Sequence, residues 1–269
     1  MPLMIVMIIA VGLILTSAVL RGVQTSRYNQ VTTARALDSD TLASTTVKNA
    51  LIAYVVVNQS LPCPAQYYGD KTMQDGHGGV MNGTAAATTS PSTGLCKTSN
   101  LFAPQRPGDS STYDGVLPWV TLGLPRSAAM DAWGHFLSYR VAPDLTTPAI
   151  FINSSVYASH GFKVCAGLAP DGSCTTTIYD PGTSTGAAFV VISHGPNGAD
   201  AIGPGGIRAP LSNSLWEQAN ALATPPAFIS APFNDTANPN GPDYFDDTVL
   251  AMSLKGLGTA ANLYNRTSP

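Results

Sequence analysis

The sequence predicts an α+β fold in which one long N-terminal α-helix, its first half transmembrane, packs on a small antiparallel β-sheet with long loops. Three observations predict it. Met1–Leu20 carries no charged side chain. From Arg21 to Val57 there is no proline, and apolar residues recur at three- and four-residue steps. Beyond Pro64, short β-branched runs alternate with Gly-, Ser-, Asn- and Pro-rich stretches.

The uncharged stretch comes first. Its 20 residues rise about 30 Å as a helix, enough to cross a hydrocarbon core. A buried soluble helix is seldom so long and so apolar. A cleaved signal peptide would bring a basic n-region, a shorter apolar core and an A-x-A site, and none is present. A retained membrane span fits best, with Ile5, Ile8, Val11, Leu15 and Val19 as its assembly face. Val23, Tyr28, Val31, Ala34, Leu37, Leu42, Val47, Ala50, Leu51, Tyr54 and Val55 then continue as an amphipathic stripe without an intervening loop. The implied helix of roughly 55 residues is on the order of 80 Å long. It makes 1–57 one domain and 58–269 a second.

Asn58–Pro64 (NQSLPCP) ends the helix, because neither Pro62 nor Pro64 can continue it. Residues 65–113 are rich in Gly, Ser, Thr and Asn and read as a long irregular insertion. Strand candidates follow at Phe136–Val141, Ala149–Ile152, Phe189–Ser193 and Tyr244–Ser253, with Phe189–Ser193 the clearest. Leu211–Ala223 reads as a short helix capped by Ser212 or Asn213.

Composition bounds the function. Charged residues make up 11% of the chain, against roughly 25% in an average soluble domain. With 25 Gly and 21 Pro among the polar replacements, the surface is polar but largely uncharged, which suits an exported protein packed against its own copies. A net charge of −3 offers nothing to neutralise a row of phosphates, so no nucleic-acid partner is expected. The four cysteines allow three pairings. Nearest neighbours in sequence favour Cys63 with Cys96 and Cys165 with Cys174, in an oxidising compartment.

No enzyme is expected. His77, His135, His160 and His194 form no HxH or HExxH pair, and no serine sits in a GxSxG elbow. Ser193 and His194 are adjacent on a strand candidate, so their side chains point to opposite faces and cannot work as nucleophile and base. Trp119 and Trp133 read as core anchors.

Three segments behind the helix carry a resemblance. LIAYVVVNQSLPCPA (Leu51–Ala65), GVLPWVTLGLPRSAAMDAWGHFLSYRV (Gly115–Val141) and FVVISHGPNGADA (Phe189–Ala201) with the later YFDDTVL together resemble type IV pilins and the pseudopilins of type II secretion. Asp131, Trp133 and Gly134 match the family's Asp-Pro-Trp-Gly turn, with Ala132 in place of its proline. The basic leader and the Phe-Thr-Leu-Ile-Glu start of prepilins are not matched by Met1-Pro2-Leu3-Met4. Arg21, Arg27 and Arg35 follow the span, so an upstream basic leader is the expected remedy for orientation.

The resemblance implies a structural subunit, major or minor, of a type IV pilus or a type II secretion pseudopilus. Its partners would be other subunits, the inner-membrane assembly machinery and, through the N-terminal helix, the membrane. It would sit in the bacterial inner membrane before assembly and in a periplasmic or extracellular filament afterwards. The resemblance also implies calcium at Asn197, Asp246 and Asp247, with Asp200 and Asp243 nearby. On the alternative reading Asn197-Gly198 is simply a turn and the aspartates are solvated. A membrane-anchored adhesin or binding module that uses 65–113 as its binding surface is the other functional class.

Overall fold

The computed structural model describes residues 42–68, 80–85, 114–146, 160–205, 208–221, 227–234, 241–242 and 244–263. Ile5, Ile8, Val11, Leu15 and Val19, together with Cys96, His77, Ala149–Ile152 and Asp243, lie outside the described residues. The described residues belong to one compact unit, Ser39–Pro269.

Four strands form its centre. β3 (Asp114–Val116), β4 (Ser138–Val141), β7 (Ala187–Ser193) and β9 (Thr248–Ser253) join side by side in that order, every pair antiparallel. All seven residues of β7 are buried. Successive strand side chains point to opposite faces, so a strand buried throughout needs a covering layer on each side. Phe189 and Val191 enter one apolar cluster, with Tyr139 and Val141 from β4. Val190 and Ile192 enter another, with Val164 and Phe228.

The first face is covered by α1 (Lys48–Asn58), through Leu51 and Val55, and by α3 (Leu254–Ala260), through Leu254 and Leu257. Trp119 stacks on Phe136 at 5.2 Å in this layer, whereas Trp133 is half-buried. The second face is covered by a three-stranded sheet ordered β6 (Thr177–Tyr179), β5 (Val164–Cys165), β8 (Phe228–Ile229), with β5 and β8 parallel. The helix α2 (Leu215–Ala221) packs beside it, with Ala219, Cys165, Ile229 and Phe245 in a third cluster. Cys165 and Cys174 are joined as expected, with Cα atoms 5.6 Å apart. Cys63 is also disulfide-bonded.

The helix at the start departs from expectation, and with it the fold class. Among the described residues, helical structure opens as a π-helical turn, Leu42–Val47, and continues as α1 for 11 residues. No helix among the described residues is long and apolar enough to cross a membrane. In place of one long helix on a small sheet, the described architecture is three sheets with α-helices of 11, 7 and 7 residues. The local reason is legible in LASTTV. Consecutive β-branched side chains crowd the preceding turn, and hydroxyls compete for backbone groups. The helix there takes the wider i→i+5 form as a single π turn ahead of α1. Within the described part of the stripe the apolar spacing holds: Val47, Leu51 and Val55 are fully buried.

Two further differences concern the loops. The 65–113 segment includes the paired strands β1 (Ala65–Tyr68) and β2 (Val80–Ala85), so it is not wholly irregular. The Pro-Cys-Pro turn also does more than stop a helix. Leu61 and Cys63 are buried, the Leu61 N–H donates to Leu145 O at 2.7 Å, and the Tyr139 hydroxyl donates to Pro62 O at 3.1 Å.

Leu51 is fully buried and Val57 is 79% exposed on the same helix. Leu51→Ala should lower unfolding free energy by about 2–5 kcal/mol, and Val57→Ala by less than about 0.5 kcal/mol. Urea denaturation of the two variants checks the assignment; equal losses would show that α1 is not packed as described.

Candidate metal centre

At one end of the central sheet, three carboxylates converge. β7 ends at Ser193 and runs into the turn His194–Asp200, which Gly195 and Gly198 shape at φ +56° and +59°. Gly195 is required for close approach: a Cβ there would lie 2.5 Å from the Asp246 carboxyl carbon. Asp246 and Asp247 precede β9, and Glu217 comes from α2 across the second face. One oxygen of each lies within 4.8 Å of the others. Glu217, Asp246 and Asp247 are 2%, 1% and 6% exposed.

Neutral donors hold each carboxylate in place. Asp246 Oδ2 accepts the Asn197 N–H at 3.0 Å and the Tyr244 hydroxyl at 2.8 Å. Both Glu217 oxygens accept from Asn197 Nδ2, at 3.2 and 3.0 Å, and Oε1 also accepts the Asp246 N–H at 3.3 Å. Asp247 Oδ2 accepts from Asn220 Nδ2 at 2.9 Å, and its Oδ1 lies 3.6 Å from His194 Nδ1. Asp246 Oδ1 is buried without a hydrogen-bond partner.

Three acids so close and so dry cannot all stay ionised unaided. Burial pushes the Asp246 carboxyl up to about 9, reinforced by the charges of Asp247 and Glu217. Burial raises Glu217 as well, with Asp247 adding to the effect. A hard divalent cation would relieve this repulsion. Calcium takes clustered carboxylate oxygens in flexible geometry, and the unpartnered Asp246 oxygen is a ligand atom left over for it. The donor set therefore fits calcium, with Glu217, Asp246 and Asp247 as the residues that would hold it.

Of the sequence-predicted ligands, Asp246 and Asp247 are thus brought together. Asn197 joins them in another role. Its Oδ1 accepts the Ala199 N–H at 2.9 Å, while its amide nitrogen clamps Glu217. Asp200 is instead paired with Arg208 at 2.8 Å. Glu217 was missed, although one signal marked it: it is the sole glutamate in the sequence.

A second polar cluster sits behind the other face. Asp131 Oδ1 accepts the N–H groups of Trp133 and His135, at 3.0 and 2.8 Å, closing the Asp-Ala-Trp-Gly turn with Gly134 at φ +86°. Its Oδ2 accepts the Ser193 hydroxyl at 3.1 Å. Hydrogen bonding to Asp131 raises the pKa of His135. Ser193 and His194 do point to opposite sides, one to Asp131 and the other to Asp247.

These elements define a sheet protein with a buried three-carboxylate centre. Comparison of the chain with protein-family models, with curated proteins and with solved structures yields no match.

The raised acids have a measurable consequence. Folded Asp246 keeps its proton up to about pH 9, whereas its ordinary value is 3.8. Between those values the folded state binds the extra proton, so stability without a cation falls as pH rises. Glu217 and His135 are shifted in the same direction and add to the trend. Melting temperature in chelator should therefore drop steadily from pH 5 to 8.5, and Asp246→Asn should flatten the curve. Calcium at pH 8 should raise the wild-type melting temperature but not that of Asp246→Asn. A wild-type curve in chelator that is level or rises with pH would contradict a protonated Asp246.

Proposed function

We propose that the chain is a non-enzymatic structural subunit, major or minor, of a type IV pilus or a type II secretion pseudopilus. It is exported through the bacterial inner membrane and associates with other subunits through the uncharged segment Met1–Leu20. The carboxylate centre holds calcium, which supplies the positive charge that lets Glu217, Asp246 and Asp247 ionise together. Its role is to tie the β7 turn, α2 and the approach to β9 to one another.

The observation that carries this reading is the meeting of Asn197 and Asp246. The resemblance picks out these residues from loops 49 positions apart, and a 3.0 Å hydrogen bond joins them inside the buried acidic centre. The Cys165–Cys174 disulfide supports an oxidising compartment. The scarcity of charge supports a surface meant to lie against copies of itself. Met1–Leu20 supplies apolar side chains worth about 1.5–3 kcal/mol for each large one removed from water, which neighbouring subunits can cover.

Filaments sheared from the cell surface and purified provide the test. The chain should be present in them, as the dominant band for a major subunit or as a trace for a minor one. Val11→Asp and Leu15→Asp should remove it from filaments while the Cys165–Cys174 bond still forms. Complete absence of the wild-type chain from such filaments would end the proposal.

A further inference from the structure

Ser138, on β4, and His194, just past β7, lie in a row that leads to Asp247. Ser138 pairs with Ile192 across the β4–β7 ladder, and Ile192 and His194 share a face because strand side chains alternate. One residue beyond the Ser193–Thr248 pair of the β7–β9 ladder, His194 meets Asp247. The Ser138 hydroxyl and His194 Nε2 are 2.8 Å apart, and His194 Nδ1 lies 3.6 Å from Asp247 Oδ1. Ser138 and His194 are 3% and 1% exposed.

The order Ser–His–Asp is that of a hydrolase relay, but this serine is enclosed. It lies in a strand paired on both edges, with Val116 on one side and Ile192 on the other. A hydroxyl so covered meets no substrate. Its remaining use is to orient the imidazole, and the imidazole in turn faces the carboxylate.

We infer that Ser138 and His194 are positioning residues for the cation centre. They face Asp247 from the Oδ1 side, His194 Nδ1 at 3.6 Å, while Asn220 Nδ2 donates to Oδ2, so that Asp247 is fixed beside the unpartnered Oδ1 of Asp246. The inference rests on the calcium reading above. It follows the general rule that ligating carboxylates are fixed by an outer layer of hydrogen-bonding groups whose loss weakens metal affinity about 10- to 100-fold. The unpartnered, buried Asp246 Oδ1 is the independent sign that this cluster awaits a ligand.

Calcium titrated calorimetrically into the full chain in mild detergent tests it. His194→Ala should weaken affinity about 10- to 100-fold, and His194→Gln, which keeps an amide donor, should recover part of the loss. Ser138→Ala, which removes only the group that orients the ring, should weaken affinity about 3- to 10-fold, the worth of one buried hydrogen bond. Ser193→Ala cuts the bond to Asp131 on the opposite face and should leave affinity unchanged. In chelator, Ser138→Ala and Ser193→Ala should melt alike, with the calcium-induced rise shrinking only in the former. If wild type takes no calcium, the cation reading itself fails. If wild type binds and Ser138→Ala binds equally well, or Ser193→Ala weakens binding as much, the site stands and the positioning role is overturned. Ser138→Ala decides the matter should His194→Ala not fold.

Discussion

All seven residues of β7 are buried, and much of the described architecture follows from covering that strand. Its side chains alternate between Phe189 and Val191 on one face and Val190 and Ile192 on the other. Each face therefore needs an apolar partner of its own. α1 and α3 cover one side; β5 and β8 cover the other, with α2 packed beside them. Burying an apolar side chain on either face is worth about 1.5–3 kcal/mol, so neither layer is optional.

The cost of this arrangement appears where β7 ends. A strand enclosed on both faces delivers the residues that follow it into the interior, and here those residues are polar. Ser193 and His194 leave the strand in opposite directions, so each face acquires a buried acid as partner, Asp131 on one and Asp247 on the other. Asp131 is satisfied by backbone N–H groups of its own turn and by Ser193. Asp247 lies beside Asp246 and Glu217, with one oxygen of each within 4.8 Å of the others. A buried unpaired charge is expensive, and burial accordingly raises the Asp246 carboxyl towards its protonated form.

This separation gives the two polar clusters different work. The Asp131 turn is satisfied by hydrogen bonds of its own and ties the segment ahead of β4 to the end of β7. The carboxylate centre draws on three segments far apart in sequence, and its three acids repel unless something positive joins them. Protonation and stability are thereby coupled at a single place, where Glu217 of α2 meets Asp246 and Asp247 ahead of β9.

Several features were legible in the sequence because they are local. The run Phe189–Ser193 is β-branched and bounded by glycines, and it forms the core of β7. Asp131 with Gly134 specifies a turn through the aspartate's own reach to the next N–H groups. Leu211–Ala223 contains α2, and the nine-residue separation of Cys165 and Cys174 favours their pairing. The helix at the start was overrated, because apolar spacing reports a face but not the crowding of Thr45, Thr46 and Val47 that widens the turn before α1. Glu217 stood out as the sole glutamate, yet only the packing of α2 on the second face places it against Asp246 and Asp247. Ser138 and His194 lie 56 positions apart, and nothing in their neighbourhoods marks them as partners. By itself the sequence determined the local conformations and the scarcity of charge. Tertiary structure alone decided which charges meet, since that depends on strand register and layer packing, and a shift of one residue in register turns a side chain to the other face.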